Sequence, residues 1–369
     1  MSTRRLRVVL EQGQVYDIRV GHRLLTNLGV HLREASGASK ATKAVVITDS
    51  NTGPLYLAQV KAGLEKANFE AFDLTIPAGE ASKGIDVAHE LWEALAYLGL
   101  GRDGVIVALG GGVVGDIAGF VASTYMRGID CVQVPTSLLA MVDSSIGGKT
   151  AINLDGGKNL VGTFKQPAYV AADLATLATL PADEWENGFA EIAKSALVDS
   201  AQFTQWLVDN AAGLVAHDEA IVQEAIVQSL TFKARVVAHD ELEKGLRECL
   251  NYGHTFAHAL ESVAGYGVIS HGRAVAEGMR FAARLAIEAI AAPQEFANAQ
   301  DALLDKLGLT PITTPYAANE LFERMFSDKK VRNSELRFVL ATAPGTWETV
   351  VVDPDLVKIY LILWEQARM

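Results

Sequence analysis

The order in which two kinds of apolar pattern follow one another constrains this chain more than any other feature. Short uninterrupted apolar runs at residues 44–48 and 104–109 alternate with helical spacing at about 55–67 and at 85–98, and residues 71–76 and 131–134 supply two further strand-like runs. A run of that length with no polar break suits a strand buried on both faces, and strands alternating with helices build a parallel sheet covered on both sides. Residues 5–20 alternate apolar and polar positions on either side of Gln12-Gly-Gln14, which predicts an opening hairpin. After Pro181 the texture changes: helical periods run over 185–197, 202–208, 220–239, 249–264 and 274–291, and only 336–340 and 349–352 read as strands, joined through Pro344-Gly345. The expectation is an α/β N-terminal domain, Rossmann-like with a mostly parallel sheet, over residues 1–180, and a mainly α-helical C-terminal domain over residues 181–369. At 369 residues the chain also exceeds the size at which one core stops growing.

Composition excludes several classes of partner. Half of the residues are hydrophobic and 21% are charged, and no stretch is long and uncharged enough to span a bilayer, so a soluble chain with no membrane partner is expected. The N-terminal residues lack the apolar core of a secretory signal, and Cys131 and Cys249 form no Cys-x-x-Cys pair; both point to a reducing cytoplasm. A net charge of −12 argues against nucleic acid, whose phosphates require a basic face. Against that background Arg127, Lys149, Lys158 and Lys165 gather in one glycine-dense stretch, which points to a small anionic ligand.

Gly110-Gly-Gly112-Val-Val-Gly115 follows a strand and opens a helix, where glycines let backbone amides approach a pyrophosphate and the helix N-terminus adds favourable partial charge. The motif follows a late strand rather than the first, so the usual dinucleotide fingerprint does not apply cleanly. Asp49, at the end of the first buried strand, suits either a ribose hydroxyl or a loop cap. The stretch from Val142 to Asn153 misses the Walker spacing and excludes an ATPase of that type, leaving Lys149 and Lys158 as glycine-flanked cations. Three of the eight histidines, His254, His258 and His271, fall in one short window. His254 and His258 are four apart and project from one helix face, and Glu191 is the best carboxylate to complete a metal site. Three protein ligands with a position left for substrate is the pattern of catalytic rather than structural zinc. Lys194 shares the face of Glu191, and Lys233, Arg247 and Asn251 lead into the histidine helix.

Jointly, residues 110–116, Tyr125-Met-Arg-Gly128, Val134-Pro-Thr-Ser137, residues 141–153, Gly157-Lys-Asn-Leu-Val-Gly162, Ala190-Glu-Ile-Ala-Lys194, Gly245-Leu-Arg-Glu248, residues 251–261 and His271-Gly-Arg-Ala-Val resemble the 3-dehydroquinate synthase family of sugar phosphate cyclases. The resemblance runs in the expected order over nearly the whole chain. It implies conversion of a seven-carbon ketose phosphate into a carbocycle by transient oxidation, β-elimination, reduction and aldol closure. It further implies an N-terminal NAD domain, a helical domain holding zinc (with Co2+ as a plausible substitute), an active site in the cleft between them, and a homodimer. Carried over residue by residue, Glu191, His254 and His271 match the metal ligands, and His258 becomes a hydrogen-bonding neighbour rather than a ligand. The positions matching NAD contacts are Asp49, Asn51, Glu80, Lys83, Gly111, Gly112, Val113, Val114, Gly115, Asp116, Thr136, Ser137, Lys149, Lys158, Thr176 and Thr179. Those matching substrate contacts are Arg127, Asp143, Lys149, Asn159, Lys194, Lys233, Arg247, Asn251 and His258, with Lys158 near both ligands and one of Lys329 and Lys330 added. A related cyclase acting on another sugar, or a metal-dependent polyol or alcohol dehydrogenase, would share much of this plan. A non-enzymatic nucleotide-binding protein would leave the histidines and cations without a task.

Overall fold

The computed structural model describes the chain apart from residues 1, 36–37, 266 and 330–334, and apart from the side chains at 39 and 327–329. The expected substrate lysine at 329 or 330 therefore lies outside the described residues. The chain forms two compact units, Met1–Pro181 with Lys233–Leu242, and Ala182–Phe232 with Glu243–Met369.

The first unit contains β1 (Arg4–Val9), β2 (Val15–Gly21), α1 (Leu28–Glu34), β3 (Lys43–Asp49), α2 (Gly53–Glu65), β4 (Glu70–Ile76), α3 (Ile85–Tyr97), β5 (Val105–Gly110), α4 (Gly112–Thr124), β6 (Asp130–Pro135), β7 (Lys149–Leu154), β8 (Gly157–Phe164) and β9 (Tyr169–Asp173). Seven strands form one sheet in the order β1-β2-β9-β6-β5-β3-β4, in which the β1–β2 pairing is antiparallel and the others are parallel. The uninterrupted apolar runs have the predicted cause. On β3, Val46 faces the cluster of Leu28, Leu32, Val60 and Leu64, while Val45 and Ile47 face Leu91, Leu95, Ile117 and Val121. Alternate residues thus serve opposite cores, and the buried run Ala44–Ile47 is apolar throughout.

Counting along the chain, β3 steps outward to β4, and β5, β6 and β9 follow on its other side. The reversal between β3 and β5 makes the carboxyl ends of those two strands the switch point where open α/β sheets hold ligands. The antiparallel hairpin β7–β8 stands apart from the main sheet.

The second unit contains α5 (Ala182–Asp199), α6 (Ala201–Val215), α7 (Glu219–His239, grouped with the first unit from Lys233 onward), α8 (His254–Ala264), α9 (His271–Ile290), α10 (Gln294–Lys306), α11 (Ala318–Lys329), the antiparallel pair β10 (Arg337–Ala343) and β11 (Thr346–Val351), and α12 (Pro354–Gln366). Helices α5 and α9 are buried almost all round, the mark of helices central to a core. The helical run expected over 249–264 is two pieces, a 3-10 segment Leu246–Asn251 and then α8. Gly253 separates them at φ +80°, and a Cβ there would lie 2.8 Å from the Met279 backbone nitrogen. On the facing helix, a Cβ on Gly278 would lie 2.0 Å from the Gly253 oxygen. Only glycine at both places lets α8 begin against the side of α9. Among the described residues no helix is long and apolar enough to cross a membrane.

Candidate functional site

Two features fix the first residues of α9 against α5. The Gly272 amide donates to the Asn187 side chain at 2.7 Å, and a Cβ on Gly272 would lie 2.5 Å from the Asn187 Cα. Glu191 stands one turn beyond Asn187 on the same face of α5, so this contact delivers His271 to it. The Gly253 turn delivers His254 from α8. As a result Glu191 Oε1 lies 3.6 Å from His254 Nε2 and 3.7 Å from His271 Nε2, and the ligand atoms of the three residues all fall within 4.8 Å of one another. Glu191 is 1% exposed. Its other oxygen pairs with Lys194, three residues along α5 and itself 1% exposed.

The outer nitrogens of both rings are engaged away from the centre. His254 Nδ1 faces the Tyr252 carbonyl at 3.2 Å, and His271 Nδ1 faces the Glu261 carboxylate at 3.5 Å. A carbonyl and a carboxylate only accept, so each Nδ1 carries a proton, and each ring would offer its Nε2 lone pair to an ion held beside Glu191 Oε1. Three lone pairs converging on one buried point repel one another unless a cation lies among them, and an N2O donor set suits a divalent transition metal. The electrostatics of the bare cluster express the same conflict. Burial and the nearby Lys194 push His254 down to about 3. Burial also works against charge on His271, but the hydrogen bonds to Glu191 and Glu261 outweigh it and lift this ring to about 9. His258, four residues along α8, is exposed and meets the His254 ring edge-on at 5.5 Å between centroids. It is not part of the three-residue cluster.

The residues matched to NAD line the carboxyl ends of the parallel strands in the first unit. Asp49 ends β3, Glu80 and Lys83 follow β4, the 111–116 turn follows β5, Thr136 and Ser137 follow β6, and Thr176 and Thr179 follow β9. A Cβ on Gly111 would come no nearer than 3.5 Å to other atoms and one on Gly112 no nearer than 3.3 Å, to the hydroxyls of Ser137 and Ser144. Close packing does not demand glycine at 111, whereas a Cβ at 112 would press on the Ser144 hydroxyl; the backbone amides that open α4 are what an approaching phosphate requires. Gly115 differs: a Cβ there would lie 2.8 Å from Gln133 Oε1, so packing explains it. Asp49 accepts from the Asn51 and Thr52 amides at 2.9 and 2.7 Å, so in this structure its carboxylate closes the turn that leads into α2. Thr179 shares a hydrogen bond of 2.5 Å with Tyr56, and Thr176 donates to the Asp173 carbonyl at 2.8 Å.

Lys83, 5% exposed, ties this edge to the β7–β8 hairpin. Its ammonium contacts Asp116 at 2.5 Å and also Asn159, whose amide donates to Asn153 at 2.9 Å; Asn153 in turn donates to Glu80 at 2.7 Å. Burial pushes the Asp116 carboxyl up, and Lys83 opposes that shift. Of the remaining candidates in this unit, Lys233 donates to the side chain and the carbonyl of Asp143, both at 2.7 Å. Arg127 is exposed at φ +69° directly after Met126 at φ +50°, two successive left-handed residues of the kind that mark functional turns. Lys149 is exposed at the start of β7, and Lys158 is half-buried on β8. In the second unit Arg247 is 1% exposed, and Asn251 donates to Glu243 at 2.7 Å. Asn187, Asn153, Glu243 and Glu261 were not legible as site residues from motif spacing, although Glu261 is seven residues from His254 and so shares its helix face.

The descriptions 3-dehydroquinate synthase N-terminal and 3-dehydroquinate synthase C-terminal match residues 73–187 and 188–331. The 3-dehydroquinate synthase of Symbiobacterium thermophilum is 42% identical over 92% of this chain and 94% of its own length. That of Xanthomonas campestris pv. campestris is 44% identical over 96% of this chain and 97% of its own. Among solved structures, 2-deoxy-scyllo-inosose synthase complexed with carbaglucose-6-phosphate, NAD+ and Co2+ superposes with a TM-score of 0.86 at 26% identity, covering 97% of this chain and 99% of that one. The 2-epi-5-epi-valiolone synthase of Streptomyces hygroscopicus subsp. jinggangensis, with NAD+ and Zn2+ bound, gives 0.86 at 26% identity over 98% and 100%. A probable glycerol dehydrogenase from Sinorhizobium meliloti, at a TM-score of 0.64 and 15% identity over 96% of this chain and 97% of that one, shares the fold. With both halves matched in order and relatives above 40% identity along nearly its full length, the chain belongs to the 3-dehydroquinate synthase family.

Proposed function

We propose that this chain is a 3-dehydroquinate synthase, which converts 3-deoxy-D-arabino-heptulosonate 7-phosphate into 3-dehydroquinate and phosphate with NAD and a divalent ion, zinc in the first place. The observation that carries the reading is the Glu191, His254 and His271 cluster, in which three potential ligand atoms converge and both outer imidazole nitrogens are engaged elsewhere. The relatives above 40% identity carry the substrate assignment, and the cyclases solved with NAD and Co2+ or Zn2+ support the cofactors. In this reading the α/β unit holds NAD, the helical unit holds the metal, and both supply substrate contacts. The family resemblance alone carries the further proposals of a homodimer and a cytoplasmic location.

When bound, the two groups supply reversible hydride acceptance (NAD) and Lewis-acid polarisation of a substrate hydroxyl (the divalent ion). Glu191, His254 and His271 would hold the ion, and the Gly111–Gly112 cradle with the α4 N-terminus would receive the pyrophosphate. The protein's own groups do the rest. Oxidation at one carbon acidifies the neighbouring C–H, and loss of that proton with departure of phosphate places negative charge on oxygen. Lys194 and Arg247, each 1% exposed, and Lys233, 5% exposed, are cations already removed from water, so they oppose such charge without reorganising. Asp143 fixes the direction of the Lys233 ammonium, and Glu243 holds the Asn251 amide nitrogen, leaving its carbonyl oxygen to accept from a substrate hydroxyl. Arg127 and Lys149, both exposed, are assigned to the phosphate. His258, exposed beside the metal ligands, is placed to exchange a proton with substrate. Because the hydride acceptance that NAD would supply is reversible, the net change would be loss of phosphate with closure of a carbocycle.

The test is to incubate metal-reconstituted protein with the heptulosonate phosphate and NAD+ well below stoichiometric. Phosphate and dehydroquinate should appear in equal amounts over many turnovers without accumulation of NADH. NADH formed in proportion to substrate would replace the cyclase with a dehydrogenase, and turnover of a different sugar phosphate alone would assign another cyclase.

A further inference from the structure

The metal reading accounts for Glu191, His254 and His271 but leaves Glu261 unexplained. This carboxylate is 7% exposed and belongs to α8, seven residues beyond His254 and on the same helix face. A buried carboxylate is costly unless a cation or a donor answers it. Its Oε2 lies 3.5 Å from His271 Nδ1, and His271 belongs to a different helix, α9. One helix therefore supplies a ligand and also a group that faces the outer nitrogen of the next ligand.

Resting on the proposed metal site, we infer that Glu261 is a positioning residue: it holds the proton of His271 on Nδ1 and the ring in the orientation that turns Nε2 towards Glu191. His254 has a backbone carbonyl in the same office, that of Tyr252 at 3.2 Å. The two second contacts differ in a useful way, because a backbone carbonyl cannot be deleted by a side-chain change whereas Glu261 can. A carboxylate behind a ligating imidazole also raises the basicity of the ring, so the loss of Glu261 weakens the ligand electronically as well as freeing its rotation. Glu261 brings a negative charge besides that of Glu191, which further favours a divalent over a monovalent cation.

The test measures Zn2+ dissociation constants by competition with a chromophoric chelator for the full chain and for Glu261→Ala and Glu261→Gln. Removing an outer contact of this kind costs about 10–100-fold in metal affinity, and Glu261→Ala should lie in that range. Glu261→Gln keeps the shape and an accepting oxygen but loses the charge, so its affinity should fall between Glu261→Ala and the parent; being isosteric, it also serves if the alanine variant does not fold. The visible absorption of Co2+-loaded protein, which reports coordination geometry, should change with Glu261→Ala. Unchanged affinity and an unchanged Co2+ spectrum in folded Glu261→Gln and Glu261→Ala would overturn the inference and leave the metal site standing. Failure of the parent protein to bind Zn2+ would overturn the metal reading itself.

Discussion

At the residue scale the decisive fact is how little of each site residue's role lies in its own chemistry and how much in what stands behind it. Glu191 has one oxygen to offer the proposed ion because Lys194 occupies the other. His271→Ala should therefore lose more Zn2+ affinity than the about 10–100-fold assigned to an outer contact, with activity falling in parallel and restored in part by excess metal; equilibrium dialysis and phosphate release check this. The same logic holds at the sheet edge. Lys83→Met removes the cation between Asp116 and Asn159 and strands a largely buried carboxylate, a change that costs about 3 kcal/mol where a buried pair is broken. Urea denaturation should show that loss, and the KM for NAD should rise with it. The pairing of Glu191 with Lys194 is visible in the chain order, but those of the sheet edge are not: Lys83 and Asp116 are 33 residues apart, Lys83 and Asn159 are 76 apart, and only the fold makes them neighbours.

At the scale of elements, what was legible followed from burial. The strands β3 and β5 are buried on both faces and announced themselves as unbroken apolar runs, and α5 and α9 did so as long helical periods. The hairpin β7–β8 was not legible, because β8 has exposed positions over much of its length and carries glycine and lysine instead of an apolar alternation, while β7 opens on the exposed Lys149 and buries only Thr150 and Ile152. The stretch beginning at Val142 was instead read through its glycines. The break before α8 was hidden for another reason, since Gly253 and Gly278 are required by each other and not by local spacing. Gly278→Ala forces α8 away from α9 and should cost about 1–3 kcal/mol, the usual penalty of overpacking. Because Gly253 immediately precedes His254, metal affinity should fall with stability; a variant that loses stability and keeps the parent's Zn2+ affinity would separate this contact from the site. The opening hairpin offers a pH-dependent case. Partial burial raises the Asp17 carboxyl, but hydrogen bonds from Arg7 and Arg5 outweigh this and hold it below the usual range. A depressed folded value gives stability that is present above the unfolded value of about 3.9 and lost as pH falls through the folded one. Asp17→Asn should cost about 0.5–1 kcal/mol at pH 7, and chemical denaturation should show the difference shrinking as pH falls below that range.

At the scale of the whole molecule, the division of labour makes a prediction that neither a residue nor a helix could make alone. All three proposed metal ligands belong to the unit formed by Ala182–Phe232 and Glu243–Met369, whereas the two hydrophobic cores on either side of the parallel sheet belong to the other unit. An ion that binds only the folded state stabilises it by mass action, by about 2.7 kcal/mol at a hundredfold excess over its dissociation constant. For a unit of this size that corresponds to a shift in Tm of about 5–10 °C. Calorimetry of metal-loaded protein should show that shift on adding chelator, and His271→Ala should not show it. Ile47→Ala, which opens a cavity in the sheet core and should cost about 2–5 kcal/mol, removes nothing the ion touches, so its effect and that of the chelator should add. A chelator shift absent from Ile47→Ala would mean that the sheet core and the metal cluster are energetically one system. A shift retained in full would show that the metal stabilises the helical unit on its own account, and that the loss of activity on chelation is a loss of the site rather than of the fold.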